Sequence, residues 1–119
     1  MVCWKETAEA ARAVAAAMPL LVKAERVVLA SVEEHDPALS DGLADLSRQL
    51  VWHGVNAEVE FMSSAAGHAG KVLKATARSH QVDLLVMGSY GHSRMREIVF
   101  GGFTQSVLES AEMPVFLML

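Results

Sequence analysis

The chain has 119 residues, 52% of them apolar, a formal net charge of −4 and a single cysteine. That length and composition fit one packed domain, residues 1–119, and exclude a disordered chain. No apolar run nears the ~20 residues that span a bilayer, the acidic balance excludes a basic nucleic-acid surface, and Cys3 has no second cysteine for an internal disulfide. The first residues lack the basic-then-apolar layout of a signal peptide, so a cytoplasmic location is expected.

Val2-Cys3-Trp4 is a short apolar opening, followed by a polar turn at Lys5. Thr7 is a good N-cap for the alanine-rich helix after it, and Glu9 sits in the first turn, where a carboxylate suits the helix dipole. Pro19 is expected to end or kink this helix, with Leu20 to Ala24 adding one turn. Arg26 to Val32 reads as a β-branched, buried strand, and Glu33 to Pro37 as a polar loop. Leu43, Leu46 and Leu50 mark one face of a helix between about Leu39 and His53, and Gly54 stands where a left-handed cap is wanted. Val55 to Met62 alternates as a strand, Ser63 and Ser64 offer an N-cap, and Ala65 to His80 is expected to be helical. Helices and strands alternate to the end of the chain. The fold class expected is therefore α/β, a single-domain open parallel sheet with helices on both faces.

The last third is the most informative. Leu84-Leu85-Val86-Met87 is an apolar run suited to a strand buried on both faces, and it stops at Gly88. Gly91 and Gly101 follow, then an amphipathic segment, then Pro114 and a second apolar run, Val115 to Leu119. A glycine-punctuated loop between a strand and a helix turns backbone N–H groups inward and adds the helix N-terminal charge, which is how α/β proteins hold anions.

The spacing glycine, two residues, glycine, nine residues, glycine resembles the nucleotide loop of the universal stress protein family. The flanks VDLLVMGSYGHS, REIVFGG and SAEMPVFLML resemble that family as well. The resemblance implies the strand order 3-2-1-4-5, in which the chain changes direction between the first and fourth strands and leaves a ligand crevice at the carboxyl ends. It implies ATP or AMP as ligand, with magnesium as an accompanying cation. Carried over by position, the nucleotide-binding residues are Gly88, Gly91, Gly101 and Gly102 in the loop and Val32 at the end of the second strand. His92 is a candidate ligand contact inside the loop.

Two positions depart from the family pattern. Gly102 stands where a Ser or Thr hydroxyl reaches phosphate, unless Thr104 reaches back to replace it. Lys5 stands at the acidic position after the first strand, and a lysine cannot accept a hydrogen bond from a ribose hydroxyl. Binding is therefore expected at micromolar affinity or weaker.

Other constellations carry less. Gly67-His68-Ala69-Gly70-Lys71 imitates a P-loop, but Ala65 and Val72 occupy the positions that need glycine and a hydroxyl, so the reading is rejected in favour of a plain helix start. The five histidines, His35, His53, His68, His80 and His92, are never three to five residues apart, and solvated or capping roles fit them better than metal binding. Arg94 and Arg96 are loop arginines, solvated or near a phosphate, and Tyr90 either stacks on a base or covers the loop.

The function expected is a cytoplasmic universal-stress-type module that binds an adenine nucleotide weakly and acts in stress response through association. The alternative is a nucleotide-free dimerisation or docking module of the same fold. Slow ATP hydrolysis ranks last, because no general base can be named. The resemblance also implies a homodimer through the last strand, Val115, Phe116, Leu117, Met118 and Leu119, whose open edge invites pairing. The opening Trp-Lys-Glu-Thr resembles the second half of tandem family members, which implies a sister domain. The first strand looks truncated, so it is expected to be shorter than its neighbours, with the bottom of the sheet open beside it.

Overall fold

The computed structural model describes residues 1–34, 41–89 and 102–119. Among the described residues nine elements alternate: β1 (Val2–Cys3), α1 (Ala8–Lys23), β2 (Val27–Glu33), α2 (Asp41–Trp52), β3 (Ala57–Ser63), α3 (Ala69–Ser79), β4 (Leu85–Gly88), α4 (Gly102–Ser110) and β5 (Val115–Met118). All four strand pairings are parallel, and the five strands lie in the order β3-β2-β1-β4-β5. The order expected from the resemblance is the order found.

Local signals account for most boundaries. Thr7 caps α1, its hydroxyl accepting from Ala10 N at 3.2 Å, and Glu9 lies in the first turn. At the end of α2, Gly54 takes φ +80° and donates to Val51 O at 3.0 Å, while Val55 N donates to Leu50 O at 2.9 Å. That paired arrangement is a Schellman cap, and Leu50 and Val55 complete it by packing in the same buried cluster.

Strand β3 begins at Ala57, two residues later than expected, Glu33 ends β2 where a loop was expected, and two helices differ as well. Helix α1 runs unbroken through Pro19 to Lys23. Pro19 is exposed, as is Ala15 one turn earlier, so the carbonyl left without an N–H donor faces water and the helix survives the loss. Helix α3 begins at Ala69, four residues later than expected. Ser64 does not cap it; its hydroxyl donates to Ala65 O, and Ala65 to His68 closes a turn (His68 N to Ala65 O, 3.0 Å) in which Gly67 takes φ +80°. The glycine supplies a left-handed step that a helix cannot contain.

Apolar residues of alternate strand positions face opposite ways and build two cores. Val2, Val27, Leu29 and Val86 pack with Ala13, Val14, Ala17 and Leu21 of α1 and Leu43, Leu46 and Leu50 of α2. Cys3, Val28, Ala30, Leu85 and Met87 pack on the other face with Leu73 and Ala77 of α3 and Val107 of α4. Helices thus cover both faces, as a parallel sheet requires. Among the described residues, no helix is long and apolar enough to cross a membrane.

Strand β1 has two residues against seven in β2 and four in β4, as its truncated opening suggests. The bottom beside it is not left open at Met1, however. The Met1 ammonium donates to Leu84 O at 2.8 Å, and Val86 N donates to Met1 O at 2.9 Å, which extends the β4 ladder below β1. Burial lowers the pKa of that ammonium.

Two glycines owe their identity to contacts between elements. A Cβ on Gly70 would lie 2.6 Å from Ser106 Oγ, so this residue lets α3 approach α4. A Cβ on Gly88 would lie 2.5 Å from Ala10 N and 2.6 Å from Glu9 C, so β4 ends directly against the first turn of α1. His80, the cap of α3, shares an exposed network with the β2–β3 edge: its Nε2 lies 3.0 Å from Glu60 and its Nδ1 2.7 Å from Arg26, which also grips Glu58 with two bonds of 2.7 Å.

Candidate functional site

The parallel sheet sends every strand's carboxyl end to the same side of the molecule. There a crevice of about 550 Å³ opens between the starts of α3 and α4. Its floor is the end of β1 (Cys3, Trp4, Lys5), one wall is the end of β2 (Val32, Glu33, Glu34), and the flanks are Gly67, Ala69 and Gly70 and Gly102, Phe103 and Ser106. A volume of that size accommodates a nucleotide-sized ligand. The crevice adjoins the reversal of strand order between β1 and β4, where open α/β sheets bind ligands.

The crevice has an acidic wall. Glu33 and Glu34 follow the buried part of β2 without a break, and Glu34 Oε2 accepts from Gly67 N at 3.3 Å. That bond bridges the end of β2 to the turn before α3, a helix whose N-cap, His68, makes no side-chain capping bond. On the opposite side, Gly102 opens α4, and a Cβ placed on it would meet no atom of the described residues within 4 Å. Among the described residues, space is therefore available where the family resemblance implies a hydroxyl side chain.

The pattern of the universal stress protein family matches residues 1–118. The chain belongs to the universal stress protein family. A universal stress protein of Synechocystis sp. is 33% identical over 89 residues, which make up 75% of this chain and 30% of that protein. The chain thus spans about a third of the length of this curated relative. Two solved structures share the fold. The universal stress protein from Archaeoglobus fulgidus superposes with a TM-score of 0.76 at 16% identity, covering 99% of this chain and 96% of that one. Universal stress protein UspA from Lactobacillus plantarum gives 0.69 at 18% identity, with coverage of 99% and 96%.

Within this universal stress protein fold, the residues expected from sequence divide into three groups. Val32 and Gly102 line the crevice, as does Lys5, the residue at the family's acidic position. Gly88 and Thr104 do not line it. Gly88 is occupied with α1, and Thr104 is fully buried inside the fold, where it has a bonding partner. Gly91, Gly101 and His92 lie outside the described residues, as do His35, Tyr90, Arg94 and Arg96.

Sequence reasoning missed Glu33, Glu34, Trp4, Phe103 and Ser106 as crevice residues. The two glutamates carried a readable signal, since they stand at the carboxyl end of a buried strand. Ser106 carried none, because its place depends on the close approach of α4 to Gly70. The indole N–H of Trp4 is buried, has no hydrogen-bond partner among the described residues, and lies on the α2 side, near Gly42. Among the described residues, no group of three or more His, Cys, Asp or Glu could hold a metal ion.

The crevice floor also contains Cys3, fully buried, and burial pushes its thiol up to about 12. The thiolate is the reactive form, so Cys3 should not react with a disulfide reagent at pH 8 while the protein is folded. Thiol titration in buffer and in denaturant tests this; rapid reaction in buffer would mean that the β1 end is open. Stability should also fall above about pH 9, where the unfolded thiol ionises and the folded one keeps its proton.

Proposed function

We propose that this domain binds an adenine nucleotide, ATP or AMP, in the crevice at micromolar affinity or weaker, and acts in stress response through association of two copies. The observation that carries the reading is a nucleotide-sized crevice over the carboxyl ends of β1 and β2, flanked by the opening turn of α4 at Gly102. Backbone N–H groups of that turn would face the phosphates, aided by the helix dipole. Lys5 lies on the crevice floor, where a cation favours an anionic ligand, and Val32 offers backbone groups to the base. No residue is assigned to magnesium and no catalytic step is proposed.

The test is release of ATP or AMP from purified protein on heating, followed by calorimetric titration with each. No released nucleotide and no heat up to millimolar concentration would remove the nucleotide reading. The absence of an acid at position 5 and of a hydroxyl at position 102 favours the second reading in that event: a nucleotide-free interaction module.

Association is proposed along β5. This strand is at the sheet edge, its residues Val115 to Met118 are half-buried and Leu119 is 52% exposed. Two copies running antiparallel would satisfy both open edges and cover these side chains in a symmetric contact. Replacing Leu117 with Lys should shift the protein from dimer to monomer or aggregate in size-exclusion chromatography. A wild-type protein that sediments as a monomer at high concentration would rule the dimer out.

A further inference from the structure

We infer that Glu34 is a specificity-determining residue of the crevice, accepting hydrogen bonds from the donor groups at the uncharged end of the bound nucleotide. The inference rests on the nucleotide reading above and adds to it which residue orients the ligand.

The crevice is polarised. Its anion-favouring elements, Lys5 and the start of α4 at Gly102, lie on β1's end and one flank, and its carboxylates lie on the β2 wall. A nucleotide has a matching polarity, with phosphates at one end and hydroxyl and amino donors at the other. Phosphates beside Glu33 and Glu34 would be repelled, so the donor-bearing end belongs on that wall. A donor-only lysine at position 5 cannot accept from hydroxyl or amino groups, so the acceptors have to come from elsewhere in the lining.

Glu34 fits the role better than either neighbouring acid. Its carboxylate is held across the crevice mouth by the 3.3 Å bond from Gly67 N, which occupies one oxygen and leaves further lone pairs for a ligand. Strand alternation puts Glu33 on the opposite face, with Val27 and Leu29, and Val32 and Glu34 on the α3/α4 face. Glu6 is not among the crevice residues; its carboxylate lies beside Gly42 at the start of α2. A carboxylate fixed at one end and facing a cavity is pre-ordered for donors, and charged acceptors bond about twice as strongly as neutral ones.

Two ligand groups share this donor chemistry, the ribose hydroxyls and the adenine amino group. The experiment titrates AMP, its 2′,3′-dideoxy analogue and IMP into wild type, Glu34→Gln and Glu6→Gln, read by calorimetry. Glutamine keeps the acceptor for Gly67 N and removes the charge, so the fold should persist, as circular dichroism would check. In wild type, one analogue should bind about tenfold more weakly than AMP, consistent with losing a charged hydrogen bond. Glu34→Gln should shrink that difference to about threefold or less, while Glu6→Gln, outside the crevice, leaves it unchanged. The dideoxy analogue being the discriminated one assigns Glu34 to ribose, and IMP assigns it to adenine. Wild type that binds AMP while Glu34→Gln keeps the full discrimination would overturn Glu34 alone. Wild type that binds no nucleotide overturns the nucleotide reading and this inference with it.

Discussion

Valine at Gly88 is expected to lower the melting temperature by more than about 10 °C, or to leave no folded protein. The side chain would begin 2.5 Å from Ala10 N and 2.6 Å from Glu9 C. Both are backbone atoms of the first turn of α1, so no rotamer change can make room. Relief would require α1 to lift from β4, along with the apolar contacts of Ala13, Val14 and Ala17. Overpacking of this sort costs about 1–3 kcal/mol where side chains can adjust, and more where backbone must move. Gly102→Ala is the matched control, because a Cβ there meets none of the described residues within 4 Å and the helix gains an alanine. It should melt at or slightly above the wild-type temperature. If Gly88→Val melts within about 3 °C of wild type, the close approach of α1 to β4 is wrong. The pair also separates two explanations of a loop glycine, packing at Gly88 and ligand access at Gly102.

The double substitution Lys5→Asp with Gly102→Ser is expected to tighten adenine nucleotide binding by about one to two decades. Each change restores a group that the family pattern has and this chain lacks. Aspartate accepts hydrogen bonds that lysine can only donate, and a charged bond of this kind contributes about 1.5–3 kcal/mol. Serine at 102 adds a hydroxyl beside the first turn of α4, where a Cβ meets no described residue within 4 Å. The opposing effect is electrostatic: the new carboxylate at position 5 would join Glu33 and Glu34 in one crevice and repel the phosphates. The balance should therefore improve with added salt, which screens the long-range repulsion more than direct bonds. Calorimetric titration of wild type, both single variants and the double variant measures it. A double variant no tighter than wild type at any salt concentration would mean that position 5 does not meet the ligand.

Short-range patterns along the chain were enough to read the alternation of helices and strands, the parallel sheet and the family. Those features rest on signals that act within a few residues. The apolar run Leu84 to Met87 needs cover on both faces, Thr7 caps the turn that follows it, and Gly54 supplies the one left-handed step that closes α2. Even the short β1 was legible, from three apolar residues before a lysine. Packing between elements decided where Gly70, Gly88 and Glu34 lie. Gly88 and Gly70 read alike in sequence as loop and helix-start residues, yet one makes room for α1 and the other for Ser106. Helix α1 passes through Pro19 because packing on its other face, through Ala13, Ala17 and Leu21, holds the turns on either side of the missing bond. Glu34 becomes a crevice residue only when the turn at Gly67, 33 positions away, is brought against β2. Contacts of that kind join segments distant along the chain, and their geometry is fixed by how whole elements pack, which short-range pattern does not encode.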